Sequence, residues 1–259
     1  MDDEQRFLLD LNGYLHLRGV LGPRELAACR AAADRHIDLC ERVADGSAPA
    51  DSIPEGFGNG AKPGEPGGKG YGSGYAWEKC LEQLTFHPRL WPIVLELTEG
   101  RPGLSTGTMI VDDAELGGAH VDGSVLHCAR EDIPHDERPG ATGPANVAPF
   151  DGACVCEERN GRIFCDNFVC FPYLDTVEPG DGGLVVLPGS HKSKFNRPTN
   201  LFGPLSRDAD SRPAEPIDWS GVPASAPAVG QSEGLGCHEL AANITPQAGD
   251  MLIMPEATT

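Results

Sequence analysis

The stretch FPYLDTVEPGDGGLVVLPGSHKSKF, residues 171–195, has the most informative pattern in the chain. It begins within the run RIFCDNFVCFPYLD (162–175), which is rich in β-branched and aromatic residues and predicts a strand. LVVLP (184–188) is a continuous apolar run, which is typical of a buried strand. Gly and Pro interrupt regular structure, so EPGDGG between the two runs predicts a turn. The stretch therefore predicts two core strands joined by a glycine-rich turn.

Other strands and helices are predicted on both sides of this stretch. Further strand patterns are YLHLRGV (14–20), LSTGTMIVDD (104–113) and GDMLIMP (249–255). Helical patterns are a helix that opens at Pro23 and two shorter segments over 76–84 and 90–98. Helices thus come first and strands follow. This order predicts an α+β fold in which N-terminal helices flank a β-sandwich or barrel core.

Three segments interrupt this pattern with many Gly, Pro, Ser or Ala residues and no periodicity. They are 45–75, 128–162 and 198–235. A long segment of this kind in a compact domain, such as 45–75, often serves as a lid or binding loop, or else is disordered. We therefore expect loop insertions at these three places within a single domain that spans 1–259.

A possible metal-binding pair lies in GGAHVDGS (117–124), where His120 and Asp122 are separated by one residue. On an extended backbone, residues i and i+2 point to the same side of the strand. An imidazole and a carboxylate held side by side form part of the 2-His-1-carboxylate set that suits non-haem Fe(II). The motif alone also fits a surface His and Asp beside a turn. Other parts of the sequence are needed to distinguish this interpretation from a metal-binding pair.

Composition and charge narrow the class of protein. The formal net charge of −19 over 259 residues argues against a nucleic-acid partner and against an anionic membrane surface. No apolar run reaches the ~20 residues of a membrane span. The acidic start MDDEQRFLLDLNG lacks the basic region of a secretory signal. We expect a cytoplasmic protein, and the net charge gives no further information about its substrate.

Nine cysteines are present, and four of them fall close together: Cys154, Cys156, Cys165 and Cys170. Their irregular spacing does not match the paired C-x-x-C pattern of a structural zinc site. Reduced thiols are the expectation for a cytosolic protein. The sequence leaves open whether the Cys154/Cys156 cluster binds a metal.

Taken in order, these motifs resemble the phytanoyl-CoA dioxygenase family. The resemblance rests on NGYLHLRGVLGPREL (12–26), HVD (120–122), the stretch 171–195 and TPQAGDMLIMPEATT (245–259). It spans most of the chain and implies a double-stranded β-helix (jelly roll) core. It also implies an Fe(II)/2-oxoglutarate-dependent dioxygenase that uses O₂ to hydroxylate a small molecule or an acyl thioester, with succinate and CO₂ as co-products.

The same resemblance assigns roles to individual residues. His120 and Asp122 correspond to the first two iron ligands, and the carboxylate at Asp122 favours a hydroxylase over a related halogenase. Met109 and Phe171 correspond to positions that line the 2-oxoglutarate pocket. From the residues themselves, each of these two side chains is equally a core filler.

The third iron ligand and the arginine that grips 2-oxoglutarate have no counterpart in this chain. In the family, that histidine follows the GD strand, so both groups are expected beyond Thr259 and the chain reads as C-terminally truncated. His191 and His238 are the alternatives for the third ligand. A non-catalytic binding or regulatory protein of the same fold remains the second hypothesis for the function.

Overall fold

The computed structural model describes residues 1–54, 69–72, 74–104, 107–111, 155–178, 184–186, 188–192, 227–228, 241–255 and 258. These residues contain the helices α1 (Asp3–Asn12), α2 (Pro23–Ala44), α3 (Lys79–Thr85) and α4 (Trp91–Leu97). They also contain the strands β1 (Leu15–Leu17), β2 (Lys69–Gly72), β3 (Thr108–Val111), β4 (Cys156–Arg159), β5 (Arg162–Cys165), β6 (Phe168–Pro172), β7 (Val185–Val186), β8 (Pro227–Ala228), β9 (Ala241–Asn243) and β10 (Met251–Pro255).

Helix α1 was not predicted, although its sequence contains a start signal and a stop signal. The Asp2 carboxylate accepts a hydrogen bond from the Gln5 N–H (2.8 Å), and the Gln5 side chain accepts one from the Asp2 N–H (3.1 Å). This reciprocal pair is a capping box, which satisfies two backbone donors that the first turn leaves unpaired. Gly13 ends the helix with φ 77° and donates its N–H to the Leu9 carbonyl (2.8 Å).

The predicted helices are confirmed, with small shifts at their ends. Helix α2 begins at Pro23, whose missing N–H costs no helical hydrogen bond at this position. The segment predicted over 76–84 forms a 3₁₀ turn (Gly74–Ala76) followed by α3, and the segment over 90–98 forms α4. Strands β1, β3, β7 and β10 fall inside the four remaining strand patterns.

Strand β10 is the central strand of an antiparallel sheet with the order β1-β10-β6. Its first four residues are fully buried, and they face opposite sides of the sheet in turn. Met251 and Ile253 pack in a core with residues of α1 and α4, whereas Leu252 and Met254 pack on the other side with Phe171. Strand β10 thus separates two apolar layers, one beside the helices and one opposite them.

The layer opposite the helices, here termed the Phe171 cluster, joins two sheets. Its members are Tyr14, Phe171, Tyr173, Leu184, Val186, Ala242, Ile244, Leu252 and Met254. Val186 and Ala242 come from the sheet with the order β7-β9-β8, in which they are paired neighbours. The described residues therefore form a mixed helix-and-sheet fold in which apolar side chains of two sheets meet.

The prediction of one continuous strand over 162–175 is wrong, because this run forms β5 and β6 with a bend at Asp166 and Asn167. The Asp166 carboxylate accepts a hydrogen bond from the Val155 N–H (2.7 Å). A side chain that bonds to nearby backbone competes with the regular strand ladder. The apolar run therefore contains two strands that belong to different sheets.

The prediction of segments without regular structure also needs correction at their edges. Strand β4 lies in the 128–162 segment and pairs with β5 across the turn at Asn160 and Gly161. These two residues have φ 53° and 75°, the positive values that a tight two-residue hairpin requires. An Asn-Gly pair is the usual signal for this turn, and the hairpin was nevertheless not predicted. Strands β2 and β8 likewise lie in the 45–75 and 198–235 segments.

Glu96 on α4 ties this helix to α1 through a nearly buried ion pair. The Arg6 guanidinium donates two hydrogen bonds to its carboxylate, at 2.8 and 3.0 Å, and the Met1 amino group donates a third at 2.9 Å. Burial alone would raise the pKa of Glu96, but these bonds outweigh it and lower the pKa to about 2. The carboxylate is therefore bound more tightly in its charged form.

We expect Glu96→Gln to lower the free energy of unfolding by roughly 1.5–3 kcal/mol at neutral pH, the usual contribution of hydrogen bonds to a charged group. Because the folded-state pKa is depressed, this contribution is present above pH 4.5 and is lost as the pH falls toward about 2. Melting temperatures measured across this range should therefore fall more steeply for the wild type than for Glu96→Gln. Glu82→Gln, in an exposed pair with Lys79, is the control. Parallel curves for wild type and Glu96→Gln would contradict the assignment.

Among the helices of the described residues, none has the length and the apolar character that crossing a membrane requires.

Candidate functional site

The predicted metal ligands His120 and Asp122 lie outside the described residues, as do His127, His135 and His238. Strand β3, which precedes the H-x-D motif, is present and pairs with β2 in an antiparallel ladder. The described strand ends at Val111. Within the described ranges, no group of three or more His, Cys, Asp or Glu side chains is arranged to hold a metal ion.

Met109 lies on β3 opposite Tyr71 of β2 and packs against the apolar cluster of Cys29, Ala32 and Leu81. Gly74 permits this packing, since a Cβ atom at that position would lie only 3.0 Å from two atoms of the Met109 side chain. The contact with α2 and α3 is the one expected of a core-filling methionine. A role in a 2-oxoglutarate pocket stays a prediction for this residue.

Phe171 lies on β6 opposite Leu252 of β10, within the Phe171 cluster. Its ring centroid is 6.5 Å from that of Tyr173, with the rings tilted by 34°. The cluster containing Phe171 and the cluster containing Met109 have no member in common. Leu174, which packs against the Met109 cluster, follows Tyr173 directly in the chain. The segment 171–174 therefore runs from the cluster that contains Phe171 to the cluster that contains Met109.

Two phenol groups contribute the polar atoms at the edge of the Phe171 cluster. Burial raises the pKa of Tyr173 to about 12, and burial also raises the pKa of Tyr14. Both hydroxyls therefore stay protonated at neutral pH and can act as hydrogen-bond donors. An apolar wall with a few protonated donors is the usual lining of a small-molecule pocket.

Thr258, three residues after the end of β10, lies beside Gly13. The Thr258 hydroxyl donates a hydrogen bond to the Gly13 carbonyl (2.8 Å) and is fully buried. His191, 4% exposed, also packs against Gly13, where a Cβ atom would overlap its ring. The structure thus places His191 and Thr258 beside the same glycine. His191 is near the end of the strand after which the family resemblance expects a third ligand.

Asp250, immediately before β10, holds this strand to the N-terminal segment. Its carboxylate accepts hydrogen bonds from the Gly19 N–H (2.7 Å) and the Gln247 N–H (2.9 Å), and one oxygen lies 2.8 Å from the His16 Nε2. Burial alone would raise the pKa of Asp250, but the two backbone bonds and the histidine together lower it. In the sequence this GD pair stood out only as part of a family motif, and its structural role was missed.

His36 on α2 fills the core beside two aromatic rings. Its side chain is fully buried, with ring centroids 4.7 Å from Trp77 and 6.1 Å from Tyr71. Burial lowers the pKa of His36, so the ring is neutral at physiological pH.

A cavity of about 760 Å³ lies between α4 and the β4–β5 hairpin, and its lining includes neither Met109 nor Phe171.

Solved structures with a similar fold include proteins that were determined with a metal and 2-oxoglutarate bound. HygX from Streptomyces hygroscopicus with nickel and 2-oxoglutarate bound has 19% identity and a TM-score of 0.60, covering 100% of this chain and 79% of that chain. HygX with nickel, 2-oxoglutarate and hygromycin B bound also has 19% identity, with a TM-score of 0.59 and the same coverage.

A third similar structure is SnoK, a non-haem α-ketoglutarate-dependent carbocyclase from nogalamycin biosynthesis. It has 17% identity and a TM-score of 0.51, covering 100% of this chain and 76% of that chain. No family profile and no curated protein sequence matches the chain. At these identities the similarity establishes the fold only, so an activity has to be inferred from the individual residues.

Proposed function

We propose that this protein is an Fe(II)/2-oxoglutarate-dependent dioxygenase that hydroxylates a small molecule or an acyl thioester. The observation that carries the proposal is the fold similarity to HygX over the whole chain, taken together with the H-x-D motif at His120 and Asp122. The finer assignments to a jelly-roll core, a single domain and the phytanoyl-CoA dioxygenase family belong to the same proposal.

The donor set fits iron chemically. A neutral imidazole at His120 and a carboxylate at Asp122 are ligand types that Fe(II) accepts, and the carboxylate also offsets part of the metal charge. Bound Fe(II), together with 2-oxoglutarate and O₂, supplies the oxidising power that inserts oxygen into a substrate C–H bond. The protein contributes the ligands, the orientation of the two organic molecules and the exclusion of water.

We assign the co-substrate to the side of the sheet that carries Phe171. Support comes from the Phe171 cluster, which combines an apolar wall with the protonated hydroxyls of Tyr14 and Tyr173. Such a surface excludes water and orients a carboxylate-bearing ligand through a few hydrogen bonds. Met109, which packs against residues of α2 and α3, is also proposed to line the 2-oxoglutarate pocket, as the family resemblance implies.

Support for a small-molecule substrate comes from the similar structures. HygX has been solved with hygromycin B, and SnoK is a carbocyclase from nogalamycin biosynthesis. SnoK also indicates that this fold hosts outcomes other than hydroxylation. The three segments 45–75, 128–162 and 198–235 are the places where we expect substrate selectivity to reside.

The test uses the full-length protein under anaerobic conditions and measures 2-oxoglutarate binding by calorimetry with and without Fe(II). We expect binding only when Fe(II) is present, and succinate formation once O₂ is admitted. Phe171→Leu should weaken 2-oxoglutarate binding roughly tenfold, the effect of about 1.4 kcal/mol. Phe86→Leu, which changes an exposed ring that meets Trp91 edge to face, is the matched control.

The possible results of these binding and turnover measurements bear on different parts of the proposal. Binding of 2-oxoglutarate that does not depend on the metal would reject the iron site. Metal-dependent binding without succinate formation in any condition would favour the non-catalytic hypothesis. Equal affinities for Phe171→Leu and wild type would remove Phe171 from the co-substrate pocket and leave it a core residue.

A further inference from the structure

The β4–β5 hairpin brings two thiols together. Cys156 and Cys165 are direct cross-strand partners, and both are free cysteines. Their sulfur atoms lie 2.8 Å apart. Bond formation needs a further approach of under about 1 Å, because a disulfide S–S bond is ~2.05 Å long.

The register of the hairpin favours a bond at this pair. Arg159 and Arg162 close the two-residue turn as a hydrogen-bonded pair, and hydrogen-bonded and non-hydrogen-bonded pairs alternate from there. Cys156 and Cys165 are the fourth pair, which makes them a non-hydrogen-bonded pair, with Cα atoms about 4.5 Å apart. This separation lies within the ~4.4–6.8 Å range of disulfides.

The next pair along the ladder agrees with this alternation. The Asp166 N–H donates to the Val155 carbonyl at 3.1 Å, as a residue in a hydrogen-bonded pair should. The turn residues Asn160 and Gly161 hold the register by their positive φ values. The geometry for a bond is therefore present in the reduced hairpin.

We propose that Cys156 and Cys165 are a redox modification site, at which hydrogen peroxide converts the two thiols into an intramolecular disulfide. The bond staples β4 to β5 beside the core that these strands share with α4. Cys165 is 1% exposed, whereas Cys156 is partly exposed and is the thiol that the oxidant reaches. The Cys156 sulfur and burial both raise the pKa of Cys165, which favours the same order of reaction.

The chemistry balances in two steps. The Cys156 sulfur attacks one peroxide oxygen, the O–O bond breaks, and the departing hydroxide takes the thiol proton to give water and a sulfenic acid. The Cys165 sulfur then attacks the sulfenic sulfur, the S–S bond forms, and the departing hydroxide takes the Cys165 proton to give a second water. Two thiols are oxidised by two electrons, and one peroxide is reduced to two waters.

The test treats the folded protein with hydrogen peroxide, blocks the remaining thiols after denaturation and digests with trypsin. Cleavage after Arg159 and Arg162 separates the two cysteines, so the disulfide joins two peptides. We expect this joined pair with a mass about 2 Da below the sum of its parts, because two hydrogens leave. Fragmentation should place the bond at Cys156 and Cys165, and dithiothreitol should release it.

Variants separate this bond from its neighbours. Each peptide contains a second cysteine, so Cys154→Ser and Cys170→Ser should retain the joined pair, whereas Cys156→Ser should lose it. Cys156→Ser changes a partly exposed residue, and its melting curve verifies that it folds. A joined pair that persists in folded Cys156→Ser would overturn the proposal. The same holds for wild-type protein in which fragmentation finds both cysteines still carrying the blocking group.

Discussion

Asp122→Ala in the full-length protein should abolish 2-oxoglutarate turnover while leaving the melting temperature close to that of the wild type. The carboxylate is proposed to supply one bond to the metal and the charge that offsets Fe(II). Loss of a group that merely supports a ligand typically costs 10–100-fold, so loss of the ligand itself should cost more than about a hundredfold. Asp122→Glu should also fail, because a shift of about 1 Å in a reacting group costs on the order of a hundredfold in rate.

The measurement pairs succinate formation with calorimetric binding of Fe(II) and with thermal melting. Binding of the metal distinguishes a lost ligand from a lost substrate contact. Asp34→Ala, on the exposed face of α2, is the control and should leave all three values unchanged. Wild-type activity in Asp122→Ala with normal melting would reject the assignment of Asp122 as an iron ligand.

Asp250→Ala should destabilise the protein more than Glu96→Gln does. It leaves the Gly19 and Gln247 N–H groups and the His16 ring without their shared acceptor at a buried position. Removing one partner from a buried charged network costs roughly 3–5 kcal/mol. For a protein of this size, such a loss corresponds to a fall in melting temperature on the order of 10 °C.

Asp175→Ala is the matched control, since Asp175 forms an ion pair with Arg30 but its side chain is 85% exposed. Exposed pairs contribute at most about 1 kcal/mol, so its melting temperature should stay near that of the wild type. Equal stabilities of Asp250→Ala and Asp175→Ala would refute the anchoring role of Asp250.

The stability that Asp250 contributes also depends on pH. Because the folded-state pKa of Asp250 is depressed, this contribution is present at neutral pH and is lost in acid.

Local signals were sufficient for some elements and were overlooked for others. Pro23 and the apolar spacing behind it predicted α2, and the run before Pro255 predicted β10, because both signals act within one segment. Helix α1 and the β4–β5 hairpin were missed although their signals, the Asp2–Gln5 capping box and the Asn160-Gly161 turn, are equally local. The physical information for both elements was therefore present in the sequence.

The arrangement of the candidate site depends on information of another kind. Phe171 pairs with Leu252 and lies on the same side of the sheet, away from the helices. The alternation of apolar and polar residues along the sequence does not specify which strands become neighbours. For the same reason the separation of the Met109 and Phe171 clusters was not predictable. The assignment of His120 and Asp122 rests on spacing and family resemblance alone, and it stays a prediction.

The pairing of β1 with β10 has a consequence for the order in which the protein folds. His16, within β1, and Asp250, immediately before β10, are 234 residues apart in sequence. Contacts between such distant segments require a large loop to close first, which slows folding. On the ribosome, β1 emerges early but cannot complete its pairing until residue 253 has left the exit tunnel. We therefore expect folding to complete only after synthesis of β10, with the N-terminal segment exposed to chaperones until then.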